Sequence, residues 1–217
     1  MSDKKNSVSK PNPEDYIIAQ DNPDWLNTPS PFDALDDDWI SIIVFFVFHV
    51  PIINTSARAK TLESYGWGKK SKKDDFKQLK RRLIKYGNMH KKDFFCEDSW
   101  AKLKESIIKK DLYEKFPHDI CRERVAYRKN KSGENDSLLS HIRNSFAHGR
   151  LAFIKENEVT YIVMEDVVDK NHVSARMILS KTTLLRWKMI ISSGPYVSDD
   201  KYNELFGMSD NNGKTNQ

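Results

Sequence analysis

The sequence predicts a mainly α protein, a helical bundle carrying one β-hairpin. Apolar residues recur at spacings of three and four through most of positions 36 to 191, and the period falls to two once, between Leu151 and Asp166. No internal repeat divides the chain. Its 217 residues fit one domain with tails: a polar, largely flexible segment at 1–34, a helical domain at 35–195, and a partly disordered C-terminal tail at 196–217.

In chain order, Asp36, Asp37 and Asp38 sit where a helix N-terminus favours acids, and Trp39 to Ile53 follows as an apolar run with Pro51 to end or kink it. That run is shorter than the roughly 20 apolar residues of a spanning helix and holds His49, so a buried core helix is expected and membrane insertion is not. A short helix is predicted before Gly66 and Gly68. Ser71 and Asp74 form a capping box for a helix burying Phe76, Leu79, Leu83 and Ile84 and stopping at Gly87. Asp98 or Ser99 caps the next, whose stripe is Trp100, Leu103, Ile107 and Ile108.

Past Pro117, Ile120, Val125 and Tyr127 fit a continuing helical pattern up to the polar turn KSGEND. A helix from Asn135 or Asp136 then buries Leu138, Leu139, Ile142 and Phe146, with Gly149 as its stop. Leu151, Phe153, Val159, Tyr161 and Val163 alternate around a polar KENE break, which predicts a hairpin. The stretch from Ile178 to Pro195 returns to helix, burying Leu184, Leu185, Trp187, Ile190 and Ile191.

Charge is unevenly distributed around a net of +5. Nine acids face three lysines between Asp3 and Asp38, whereas twelve bases face three acids between Lys60 and Lys92. The second block attracts polyanions, RNA being the obvious one, and Lys69, Lys70, Lys72, Lys73, Lys77, Lys80 and Arg81 are its candidate RNA contacts. A merely solvated helix face is the other reading. Tyr65, Trp67 and Tyr86 flank the block, as core anchors or as stacking platforms.

Cys96 and Cys121 form no metal spacing and no disulfide framework, and the N-terminal segment lacks an apolar signal core, so a cytoplasmic protein is expected. His49, His90, His118 and His172 join no ligand spacing, so neither metal nor cofactor is expected. GWGKK lacks the P-loop spacing, and there is no serine nucleophile elbow.

The chemistry concentrates in HIRNSFAHGR, residues 141–150. On a helix His141, Asn144 and His148 share a stripe separate from the Leu/Phe stripe, and Arg143 lies more than a third of a turn from His148. An imidazole can move a proton at a ribose hydroxyl or leaving oxygen, a guanidinium can hold phosphate oxygens, and Asn144 can orient either. These are the parts of metal-free RNA backbone cleavage. His141 reads as a satisfied surface or interface residue, and a structural reading of His148 is a cation at a helix C-terminus.

The string R-N-S-F-A-H, Arg143 to His148, resembles the signature of HEPN domains (higher eukaryotes and prokaryotes nucleotide-binding), many of which are metal-independent ribonucleases of toxin–antitoxin and antiviral systems. The resemblance implies an up-and-down helical bundle that forms a homodimer, joins two motifs in one cleft, and cuts RNA to leave a 2′,3′-cyclic phosphate. By that resemblance Arg143 and His148 are catalytic and Asn144 supports them. A restraining antitoxin or a sensor protein is a further partner it suggests, and a non-catalytic RNA-binding or protein-interaction adaptor is the alternative.

Overall fold

The computed structural model describes residues 12–21, 23–27, 35–50, 60–69, 71–87, 89–113, 116, 120 and 122–208. Its centre is a five-stranded mixed sheet, which corrects the expectation of a helical bundle with one hairpin. The strands are β1 (Phe94–Glu97), β2 (Arg124–Arg128), β3 (Leu151–Glu156), β4 (Val159–Val168) and β5 (His172–Ser180), in the order β1-β2-β5-β4-β3. β1 and β2 run parallel, and every other neighbouring pair is antiparallel.

The physical reason for the miss lies in β2 and β5. Val125, Ala126 and Tyr127 are fully buried, as are Ala175, Met177, Ile178 and Leu179. A strand covered on both faces shows no polar–apolar alternation, so its sequence does not separate it from buried helix. The expected helical continuation through Val125 and Tyr127 is therefore strand β2, and the helix expected from Ile178 begins only after Ser180.

One sheet face carries Phe94, Val125, Tyr127, Ile162, Met164, Ala175, Met177 and Leu179. Against it lie α1 (Asp37–Val44), α2 (Lys72–Tyr86), α4 (Glu134–Ala147), α5 (Lys181–Ser193) and α6 (Asp199–Leu205). The other face, with Ala126, Val163, Val173 and Ile178, is covered by α3 (Trp100–Lys109) and by Ile17, Ala19 and Trp25 of the N-terminal segment. Tyr202 of α6 is buried in the first core, its ring 5.4 Å from that of Tyr86.

Where one helix face meets water, the local signals act as the sequence reading expects. Asp36 Oδ1 accepts from Trp39 N at 3.0 Å, Ser71 Oγ from Asp74 N at 3.3 Å, and Ser99 Oγ from Lys102 N at 3.3 Å. The Asp74 carboxylate accepts from the Ser71 hydroxyl rather than from its backbone. A single turn over Leu62–Tyr65 precedes Gly66. After α1 the chain widens into a π turn over Phe45–His49 and leaves it at Val50, which is extended as a residue before proline must be; Pro51 lies outside the described residues. No helix among the described residues is long and apolar enough to cross a membrane.

The predicted hairpin is present: β3 and β4 pair from Leu151↔Met164 to Glu156↔Val159. Asn157 and Glu158 turn it with φ of +48° and +64°, the two left-handed residues that match the right-handed twist of the strands. The tail ending DNNGKTNQ lies outside the described residues.

Candidate functional site

Helix α4 crosses the sheet with Leu138, Leu139 and Ile142 buried, and its polar stripe turns toward the ends of β2 and β4. His141 lies inside, 6% exposed, rather than at a surface or interface. Its Nδ1 is 2.6 Å from Asp166 Oδ2 on β4, and its Nε2 is 2.8 Å from the Arg128 carbonyl oxygen on β2. A carbonyl can only accept, so Nε2 carries a hydrogen, and the Nδ1···Oδ2 contact requires one further proton shared by imidazole and carboxylate. The neighbouring Tyr127 ring lies 5.9 Å from the imidazole, and burial pushes its hydroxyl well above its usual pKa, so it remains neutral.

The same carboxylate gathers two more donors. Asn144 Nδ2 approaches Asp166 Oδ2 at 3.4 Å, and Ser174 Oγ donates to it at 3.1 Å. Ser174 reaches this face because of a bulge: Asp166 pairs with Ala175 and Val167 with Val173, which leaves Ser174 unpaired between them. Asn144 in turn accepts at Oδ1 from Arg143 Nη1 at 3.4 Å. A line of polar contacts thus runs from the Arg128 carbonyl through His141, Asp166 and Asn144 to Arg143.

Arg143 is half-buried, and its Nε has no hydrogen-bond partner among the described residues. His148 is exposed at the C-cap of α4, its N–H donating to the Asn144 carbonyl at 2.9 Å. Gly149 follows at φ +65°, the left-handed stop expected of it. Five residues on a regular helix separate Arg143 from His148 by about 140° around the axis. The fold thus joins Arg143 to Asn144 and leaves His148 on the surface one turn further.

Arg150 then fixes the chain as it enters β3. Its Nε donates to Glu165 Oε1 at 3.0 Å and its Nη2 to the same oxygen, while Arg176 Nε donates to Glu165 Oε2 at 2.8 Å. Glu165 and Asp166 face opposite sides of the sheet, each buried and each paired. The sequence reading missed Asp166, Ser174 and the Arg128 carbonyl. The one signal for them was an acid pair set in the apolar run YIVMEDVV, since a carboxylate inside a strand requires a partner.

The basic block lies elsewhere. Lys69, Lys73 and Lys77 are exposed, whereas Lys80 pairs with Glu134 at 2.7 Å and Arg81 with Asp199 at 2.9 Å. Lys70 and the Lys72 side chain lie outside the described residues. Asn135 donates to the Phe76 carbonyl at 3.0 Å, so α2 meets the N-terminal end of α4, about 21 Å of helix from His148. Tyr65, Trp67 and Tyr86 are anchored inward: the Trp67 indole donates to the Ile191 carbonyl at 2.9 Å, and Tyr65 Oη to that of His49 at 2.8 Å.

Among the described residues no three His, Cys, Asp or Glu side chains group as a metal site would require. Burial raises the Cys96 thiol above its ordinary pKa, so it is not an activated nucleophile.

Neither the curated proteins nor the solved structures contain a match to the chain. A family model does: the one described as HEPN pEK499 p136 matches residues 58–189, well over half of the sequence, and the match takes in all five strands and the whole of α4. With the R-N-x-x-x-H stretch inside that match, the chain belongs to the HEPN pEK499 p136 family.

Proposed function

We propose that the protein is a metal-independent endoribonuclease whose active site is completed by a second copy of the chain, acting as a defence or toxin effector. Family membership fits a nuclease or RNA-binding role in general. The observation that carries the finer reading is the tether from His141 through Asp166 to Asn144, which fixes the last turn of α4 against the sheet and holds Asn144 against Arg143. Such fixing is what a site that must place a guanidinium on a phosphate requires.

In this reading Arg143 holds the non-bridging oxygens as charge builds on phosphorus, and Asn144 orients it. His148 exchanges the proton: the ribose 2′-oxygen loses it and bonds to phosphorus, the bond to the 5′-oxygen breaks, and that oxygen leaves protonated. The products are a 2′,3′-cyclic phosphate and a 5′-hydroxyl. Because Arg143 and His148 diverge around one helix, the pair acting on one phosphate comes from two facing copies of α4. The exposed lysines of α2 and the turn before it bind the RNA backbone at a distance from the cut.

The test is RNA treated with the purified protein in EDTA, against Arg143→Ala and His148→Ala. Cleavage that survives the chelator, leaves cyclic phosphate ends and is lost in both variants supports the enzyme. A second reading, a non-cleaving RNA-binding adaptor, draws on the exposure of His148, whose described hydrogen bonds are made by its backbone. RNA binding without cleavage in every sample establishes it.

A further inference from the structure

The N-terminal segment, residues 12–27, lies over the second face of the sheet and buries Ile17, Ala19 and Trp25 in the core of that face. Three of its contacts end on, or within two residues of, the parts of the α4 site.

The first contact is with the start of β5. Val173 N donates to the Ile17 carbonyl at 2.9 Å and Ala19 N to that of Asn171 at 2.7 Å, with Ile18 opposite His172. Val173 immediately precedes Ser174, the residue that the bulge turns to Asp166. The second contact is at the entry to β3. There the Gln20 carbonyl accepts from Arg150 Nη2 at 3.0 Å, two residues past His148.

The third contact runs through rings. Tyr16 stacks on His172 with centroids 3.9 Å apart and planes 16° from parallel, and the two rings meet Trp100 at 5.1 and 5.7 Å. The Arg128 guanidinium lies 4.3 Å over the Trp100 ring. Its Nε has no hydrogen-bond partner among the described residues, so the indole is its described seat. The carbonyl of this same Arg128 is the acceptor for His141 Nε2. One aromatic stack therefore connects the N-terminal segment to the backbone that holds the α4 imidazole.

We propose that residues 12–27 are a positioning strap: docked, they hold the end of β2, the β4–β5 bulge and the entry to β3 in the register the α4 site needs, with Tyr16 acting through Trp100 and Arg128 on His141. The site is then conditional on the strap. A short segment held by a few rings and backbone bonds opens at lower cost than the helices and strands beneath it. Each opening loosens the last turn of α4 while the first core stays folded. The effect on cleavage rests on the reading of α4 as the cutting helix, whereas the effect on the order of α4 does not.

Hydrogen exchange of the full chain, followed peptide by peptide, tests the strap without RNA. In Tyr16→Ala, which loses two ring contacts, the amides of residues 141–150 should exchange about tenfold faster. Those of α2, on the opposite face of the sheet, should keep their wild-type rates. Tyr16→Phe retains the stack and should match the wild type. Arg128→Leu should speed exchange of the same stretch, and its effect should be less than additive with Tyr16→Ala, because both break one chain of contacts. Cleavage reads the consequence: Tyr16→Ala should lower kcat at an unchanged KM. Wild-type exchange of residues 141–150 in Tyr16→Ala, an equal rise in α2, fully additive effects in the double variant, or a wild-type kcat in Tyr16→Ala overturns the proposal. A wild type that cuts no RNA yet shows this exchange pattern overturns the nuclease reading and supports the strap.

Discussion

The His141 imidazole is held between Asp166 and the Arg128 carbonyl, 2.6 Å from one and 2.8 Å from the other, deep enough that water reaches neither contact freely. It joins three elements distant in sequence: α4, β4 and the end of β2. Removing the carboxylate leaves a buried imidazole nitrogen without its partner, and broken buried pairs typically cost about 3–5 kcal/mol. Asp166→Ala should lose stability in that range in urea unfolding. Asp166→Asn should lose clearly less, because its amide can donate to a neutral Nδ1 while Nε2 keeps its bond to Arg128. If both variants unfold at the wild-type midpoint, the pair does not hold the helix end in place.

Legibility follows from which faces meet water. Helices α2 and α3 could be read because Leu79 and Leu83, or Leu103 and Ile107, alternate with exposed charge and follow serine caps. Strands β2 and β5 could not, because neither has a wet face to mark a period of two. The site divides in the same way. Arg143, Asn144 and His148 share one helix and one short pattern, so the sequence can offer them together as candidates. Asp166 is 25 residues from His141 and meets it through sheet register, and Ser174 joins only through a bulge. Nothing local in the sequence records either event.

Glu123 gives a pH signature. Burial raises its folded pKa above the ordinary 4.5, so the unfolded chain loses that proton at a lower pH than the native state does. Stability from this group is therefore full below the unfolded value and is lost as pH rises through the folded one. Glu123 Oε1 accepts from Ser180 N at 3.1 Å and from the Thr183 hydroxyl at 2.8 Å, and Glu123→Gln cannot ionise but keeps an oxygen for both. Its melting midpoint should exceed that of wild type at pH 8, with the gap closing toward pH 4. A gap that widens on acidification contradicts the assignment.

The lysine block should govern RNA affinity through Lys69, Lys73 and Lys77, which are exposed, more than through Lys80 and Arg81, which already face Glu134 and Asp199. Replacing the three exposed lysines by glutamate should weaken single-stranded RNA binding and lower the salt slope by about 0.7 per lost phosphate contact. The same change at Lys102, Lys109 and Lys155, also exposed, controls for net charge. Fluorescence anisotropy across a salt series separates the cases: matching losses in the two triple variants mean a general charge effect and no localised surface.

The angular separation of Arg143 and His148 makes the two-copy site testable without a structure of the dimer. In a symmetric pair, each phosphate site takes the guanidinium from one copy and the imidazole from the other, so two crossed pairs exist. A dimer of one Arg143→Ala chain and one His148→Ala chain has lost one crossed pair entirely and kept the other intact. When the two inactive variants are unfolded together and refolded at equal concentration, half the dimers are mixed, so about a quarter of wild-type cleavage should return. A site built within one chain gives no recovery, because each chain then lacks one of its own two groups. The amount of cyclic phosphate product in the mixture, against each variant refolded alone, is the measurement that decides between them.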